Sequence, residues 1–238
     1  MYQESSQSFG DAIAGPNRDF KTRLVQNDIV IADNLKSFEI IAGNEEISLG
    51  TAVSSYMQGT IDSKELSLSG KEVMLQIGLL TNEEDYEFIP MGKFTIQNPK
   101  LESNKISFTA YDNLTSKCNS AYYSKLSYPA DALDILTEIE SMTGVIIKKT
   151  GLPSGIQVSK RAVANESEED ESVITSYVNP FDGYTYKETI GFIAGLFGKF
   201  AMCGRTGEIE FRWYTDTGYE IDSSIFIMIC RKQKKNLY

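Results

Sequence analysis

Carboxylates offer this chain its first chemical option. Asp131, Asp134, Glu138 and Glu140 fall within one short stretch, and a glycosidase needs two carboxyls facing each other across a cleft. The helical spacing instead puts Asp131, Asp134 and Glu138 on the polar face of an amphipathic helix, where solvated acids are expected. The chain contains no histidine, which removes the commonest general base and most zinc and serine-hydrolase arrangements. Glu166, Glu168, Glu169, Asp170 and Glu171 form an acidic run that lacks the alternating ligands and central glycine of a calcium-binding EF-hand loop, so it reads as an exposed loop. Gly191, Gly195 and Gly198-Lys199 superficially suggest a phosphate loop. Their spacing is wrong, Phe200 stands where Ser or Thr belongs, and the glycines lie inside a helical pattern. Gly191 and Gly195, four apart, predict a close approach of another backbone to that helix. Trp213 offers a sugar-stacking ring, but it alternates with Ile209 and Phe211 on one strand face, which predicts core packing. Cys118, Cys203 and Cys230 are odd in number and far apart, with no C-x-x-C pair, so neither a disulfide framework nor a zinc site is encoded. Cys118 and Cys203 read as reduced packing residues. The sequence therefore predicts no catalytic, cofactor-binding or metal-binding residue.

The elements that would position these residues are legible in the periodicity. Short β runs at 19–26, 29–32, 36–41, 53–61, 72–80, 86–97 and 105–111, separated by turn residues, predict a barrel or sandwich. The pattern changes after Tyr128. Pro129 suits a first helical position, Leu133, Leu136, Ile139 and Met142 keep an apolar stripe, and Gly144 supplies the left-handed stop. Residues 145–148 then read as a strand and 151–155 as a loop. Thr185 with Glu188 has the form of a capping box. Ile190, Ile193, Ala194 and Phe197 follow at helical spacing, the helix stops near Gly198, and two β runs at 200–203 and 208–214 flank the turn 204–207. In the second run Glu208, Glu210 and Arg212 face away from Ile209, Phe211 and Trp213. The fold class is α+β and mainly β, with an all-β unit followed by a small α+β unit and a join near residues 112–127.

The 238 residues suffice for a substantial core. A net charge of -10 argues against phosphate-contacting nucleic-acid binding, which needs clustered Lys and Arg. No basic start with an apolar stretch follows Met1, and the apolar run 225–230 is far short of the roughly 20 residues of a membrane-spanning helix. The chain is expected to be soluble, made in the cytoplasm and free of membrane insertion.

The segment 184–214 resembles the matching region of baseplate hub, or tail-associated, proteins of long-tailed phages and Gram-positive prophages. Those proteins carry a similar aromatic-Thr helix entry, an Ala-Gly-rich helix running into GKFA, an Arg-x-Gly turn and a strand ending in Trp-Tyr. Upstream, 86–95 (YEFIPMGKFT) is similar to the family's strand entry, Phe108 to Asp112 to its strand ending in Tyr-Asp, and Tyr128-Pro129 to its YP helix start. Together these cover about residues 18–226. The resemblance implies a structural subunit that assembles with tail tube and tail tip subunits. It implies a first barrel-like tube domain over 1–114, a peripheral α+β domain over 115–214, a return strand and truncated tail over 215–238 and, in the full-length family, a homotrimeric ring, with no enzymatic activity and a location in the host cytoplasm and then at the virion tail tip. Family members continue into a second tube domain beyond the Trp-Tyr strand. Residues 227–238 leave the family pattern for a basic tail, so a shortened hub and no closed trimer are expected. The rival class is a cell-wall glycan hydrolase or carbohydrate-binding module.

Overall fold

The computed structural model describes residues 5–16, 18–33, 35–42, 47–62, 67–81, 85–164 and 174–213. The expected acidic loop at 166–171 and the return strand and tail at 215–238 lie outside them.

Alternating strands build the first half. β1 (Phe20–Gln26), β2 (Ile29–Asp33), β3 (Ser37–Ala42), β5 (Ser55–Asp62), β6 (Glu72–Leu80), β7 (Tyr86–Glu102) and β8 (Lys105–Tyr111) form one antiparallel sheet in the order β2-β1-β6-β7-β8-β5-β3. A short strand, β4 (Ala52–Val53), precedes β5 and belongs to another sheet. Two hairpins turn through paired positive-φ residues, Asn27-Asp28 between β1 and β2 and Ser103-Asn104 between β7 and β8. That backbone matches the right-handed twist of the flanking strands. β7 is long enough to pair with both neighbours because it bends, with register shifts opposite Leu75/Gln76 and at Gln97/Lys100. Such bulges increase local curvature.

The inward side chains Leu24, Met57, Val73, Leu75, Phe94, Ile96, Ile106 and Phe108 make one buried cluster, with Ile31 of β2 and Phe38 and Ile40 of β3 packed against it. Both edges of the sheet therefore contribute to a single core, and residues 34–36 alone separate β2 from β3. A link that short spans on the order of 10 Å, so the sheet must curl. It is nevertheless open: among the described residues β2 and β3 share no ladder, and the barrel expected from strand spacing is not closed by hydrogen bonds. A helix that periodicity missed, α1 (Gln7–Ala14), is capped by Ser6 and lays Phe9 on Leu79 and Ile89. Its stripe is too short to stand out from the polar start of the chain.

The second half packs around a separate cluster. α2 (Asn113–Ser116) follows β8 directly, and β9 (Ala130–Asp131) leads into α3 (Ala132–Thr143). Ile135, Leu136 and Ile139 of α3 meet Ile190, Ile193 and Ala194 of α4 (Tyr186–Leu196). β10 (Gln157–Val158) pairs with β9, and β11 (Arg161–Ala164) with β12 (Ile174–Val178). β13 (Phe200–Cys203) and β14 (Ile209–Arg212) form the expected hairpin, and β4 joins it as a parallel third strand.

Several expectations need correction. Pro129 does not open α3: the Tyr128-Pro129 peptide is cis and Asp131 is the N-cap, its carboxylate accepting the Leu133 N–H. Residues 145–148 form no strand beyond an isolated bridge between Ile147 and Ile209. Gly144 does end α3 in the left-handed region, at φ 68°. Thr185 and Glu188 do make a capping box on α4.

Candidate functional site

The carboxylates of α3 are held in place by partners. Glu138 accepts from Tyr122 Oη, Ser124 Oγ and Lys125 N–H, which ties the loop ahead of α3 to the helix. Burial, then the bond to Glu138, pushes the Tyr122 phenol far above its ordinary range. Glu140 pairs with Lys149 and accepts the Ile147 N–H, and the lysine holds its carboxyl below the usual range. Asp131 caps the helix and also accepts from Gly155 N–H. Only Asp134 of the four is exposed. Asp131 and Glu138 are half-buried, and beyond the solvation expected of them their oxygens satisfy backbone and hydroxyl donors. Among the described residues no cluster of His, Cys, Asp and Glu suits a metal.

The glycine pair acts as its spacing predicted. A Cβ placed on Gly191 would meet Gly50 O at 2.9 Å and Ala52 N at 3.2 Å, and one on Gly195 would meet Gly50 Cα at 3.1 Å. The segment that presses on α4 enters β4 and pairs with β13. Gly50 N donates to Lys199 O at 2.9 Å and Ala201 N to Thr51 O at 2.8 Å. Gly198 takes φ 65° and Lys199 N bonds Ala194 O, so this turn caps α4 and is not a phosphate cradle. A groove of about 770 Å³ opens beside the contact, between Ser48, Thr51, Tyr184, Lys187 and Phe192.

The two clusters are joined by polar residues that sequence reasoning passed over. Asp112, 1% exposed, follows β8 and receives Ser55 N–H, Ser55 Oγ and the Thr115 N–H that starts α2. Burial pushes its carboxyl up despite these donors and the nearby Lys187. Lys187 donates to Ser54 Oγ, the single residue between β4 and β5. Asn113 Nδ2 donates to Gly207 O at 2.6 Å, and Lys93 and Lys117 share Glu72. Burial opposes ionisation of Glu72, and its two lysines more than offset it, leaving the carboxyl below its ordinary range. The only advance signal was the cap pattern of Asp112 ahead of Asn113-Leu-Thr.

Two strand-face assignments fail on β14. Trp213 is 50% exposed, while Ile209 is fully buried and Phe211 packs edge-on against Phe197. The strand ends at Arg212, so its alternation no longer dictates the next ring. Glu210, expected to face solvent, is 5% exposed. It binds Lys148 and Arg212, and these cations outweigh the burial that would raise its pKa. Cys118 and Cys203 are free thiols as expected, and burial pushes Cys118 up to about 12.

No protein-family model and no curated protein matches the sequence. The fold has relatives. The tail protein from Neisseria meningitidis MC58 superposes with a TM-score of 0.53 and 10% identity, over 84% of this chain and 52% of that one. The 43 kDa tail protein of prophage MuSo2 from Shewanella oneidensis gives 0.47 and 12%, over 85% and 58%. In fold the chain is similar to the Neisseria tail protein, and it spans about half of that protein's length. No helix of the described residues is long and apolar enough to cross a membrane.

Proposed function

We propose that this chain is a non-enzymatic structural subunit of a phage or prophage tail tip, a baseplate hub protein that acts by assembly with tail tube and tip subunits. The observation that carries the reading is the fold likeness to a tail protein across 84% of the chain. In this reading residues 1–114 form a tube-type domain whose curled sheet follows the wall of a ring, and residues 115–214 form the peripheral domain. The engagement of Glu138 and Glu140 by fixed partners supports assembly over hydrolysis, because neither carboxyl is free to protonate a leaving group. Immunogold microscopy of tailed particles induced from the genome that encodes the chain is expected to label the tail end. Purified tails that carry tube subunits but neither label nor peptides of this chain would overturn the proposal. A peptidoglycan dye-release assay is expected to stay at background.

A further inference from the structure

The outward side chains of β3, β5, β8 and β7 fall in register and make one polar face. Ser37 of β3 lies beside Thr60 of β5, Thr60 beside Ser107 of β8, and Ser107 beside Lys100 of β7. One row along, Glu39, Gln58, Thr109 and Gln97 follow in the same strand order. The row after that sets Tyr56 beside Tyr111, with ring centroids 6.1 Å apart. At the alternating positions Met57, Ile61, Ile106 and Phe108 are buried in the core, so the face points away from it. Ser37, Glu39, Gln58, Thr60, Ser107 and Thr109, with Lys100, line a groove of about 820 Å³.

The chemistry of this groove is narrow. One carboxylate, Glu39 on β3, and one ammonium, Lys100 on β7, stand on opposite sides and cancel, in a chain whose net charge is -10. A metal ion or a phosphate backbone would need an excess of opposite charge. None of the lining side chains is an exposed large apolar group, which the core of a protein interface would need. What remains is hydroxyls and an amide. Each hydroxyl both donates and accepts, and the Gln58 amide does both from adjacent atoms, which is the pairing that the neighbouring hydroxyls of a sugar require. This capacity is hardly used within the protein: among the described residues the one side-chain bond across the groove joins Thr60 and Ser107 at 3.3 Å. Tyr56 and Tyr111 continue the face beyond the groove and supply amphipathic rings against which the C–H face of a sugar can pack. From β3 to β7 is three strand spacings, about 14 Å, a span that suits an oligosaccharide better than a single sugar ring. We propose that this face binds a neutral oligosaccharide laid across the strands, with its hydroxyls on Gln58, Thr60, Ser107 and Thr109.

An array of neutral oligosaccharides, printed beside sulfated and sialylated ones, tests the proposal with the tagged full chain. Retention is expected on neutral spots. Calorimetric titration with a retained oligosaccharide should then show Gln58→Ala and Ser107→Ala each weaker by about ten-fold, as for the loss of one or two hydrogen bonds. Asp134→Asn, exposed on α3, should bind as the parent chain does. Gln58 and Ser107 are themselves exposed, so thermal melts of the variants should match the parent and separate lost binding from lost fold. No retention on any neutral spot, retention on anionic spots alone, or unchanged affinity in both variants would each overturn the proposal. None of these results bears on labelling at the tail end, so this site and the tail-tip reading fail separately.

Discussion

Replacing Gly191 by alanine tests the contact on which the second half of the fold closes. The new methyl carbon would stand 2.9 Å from Gly50 O, 3.2 Å from Ala52 N and 3.4 Å from Thr51 C, all of them backbone atoms. Relief requires a shift of about half an ångström, since packed carbons prefer about 3.5–4.0 Å. The segment is pinned on its far side by the bonds of Gly50 to Lys199 and Ala201 to Thr51. Overpacking of this kind costs about 1–3 kcal/mol. Alanine in place of helical glycine returns up to about 1 kcal/mol. Gly10 supplies the internal control: it also lies inside a helix, and a methyl there meets nothing within 4 Å. Gly10→Ala should stabilise by about 0.5–1 kcal/mol, so the difference between the two variants isolates the strain, about 2 kcal/mol. At about 2–4 °C per kcal/mol for a chain of this size, thermal melts should separate them by roughly 4–8 °C, with Gly191→Ala lower. Melts of the two variants within about 1 °C of each other would refute the close-contact argument.

The remaining expectations concern charge and packing. Glu210→Gln should destabilise by on the order of 1–3 kcal/mol in urea titrations, less than a fully buried pair because Lys148 remains 45% exposed. Glu72, Glu208 and Glu210 have folded pKa values below their ordinary range, with burial opposing and lysine or arginine partners prevailing. At low pH the unfolded chain therefore binds more protons. The urea midpoint should hold above the unfolded carboxylate value of about 4.3 and fall as pH drops through the lower folded values. A midpoint that rises between pH 5 and pH 3 would contradict this. Trp213→Ala should lower stability by about 1 kcal/mol or less, as at a surface site, whereas Ile209→Ala, fully buried, should lower it by about 2–5 kcal/mol.

Legibility followed the range over which each signal acts. β6 and β8 agree with expectation end to end because alternating burial and turn residues are local, and the α4 capping box needs only Thr185 and Glu188. The glycine pair was readable as a close approach, but its partner, Gly50, lies more than a hundred residues away and left no local trace. Curling without closure was hidden for the same reason: strand spacing counts strands and carries no information on whether β2 meets β3. Glu210 and Glu138 show the limit of polarity as a guide. Strand alternation for Glu210 and helical spacing for Glu138 assign a carboxylate to water, and only the folded arrangement reveals that Lys148 and Arg212 bind the first and Tyr122 and Ser124 the second. Trp213 failed because a strand's period says nothing past the strand's last residue.

Ser54 ties the two halves together at one point of the chain. It is the sole residue between a strand of one sheet and a strand of the other, 8% exposed and bonded to Lys187 of α4. Pivoting at that point would break this bond and the Asp112 bonds to Ser55 alongside it. The joint therefore behaves as a stiff coupling. A displacement of α4 is carried to β5 through Lys187 and Ser54, with no flexible linker between them.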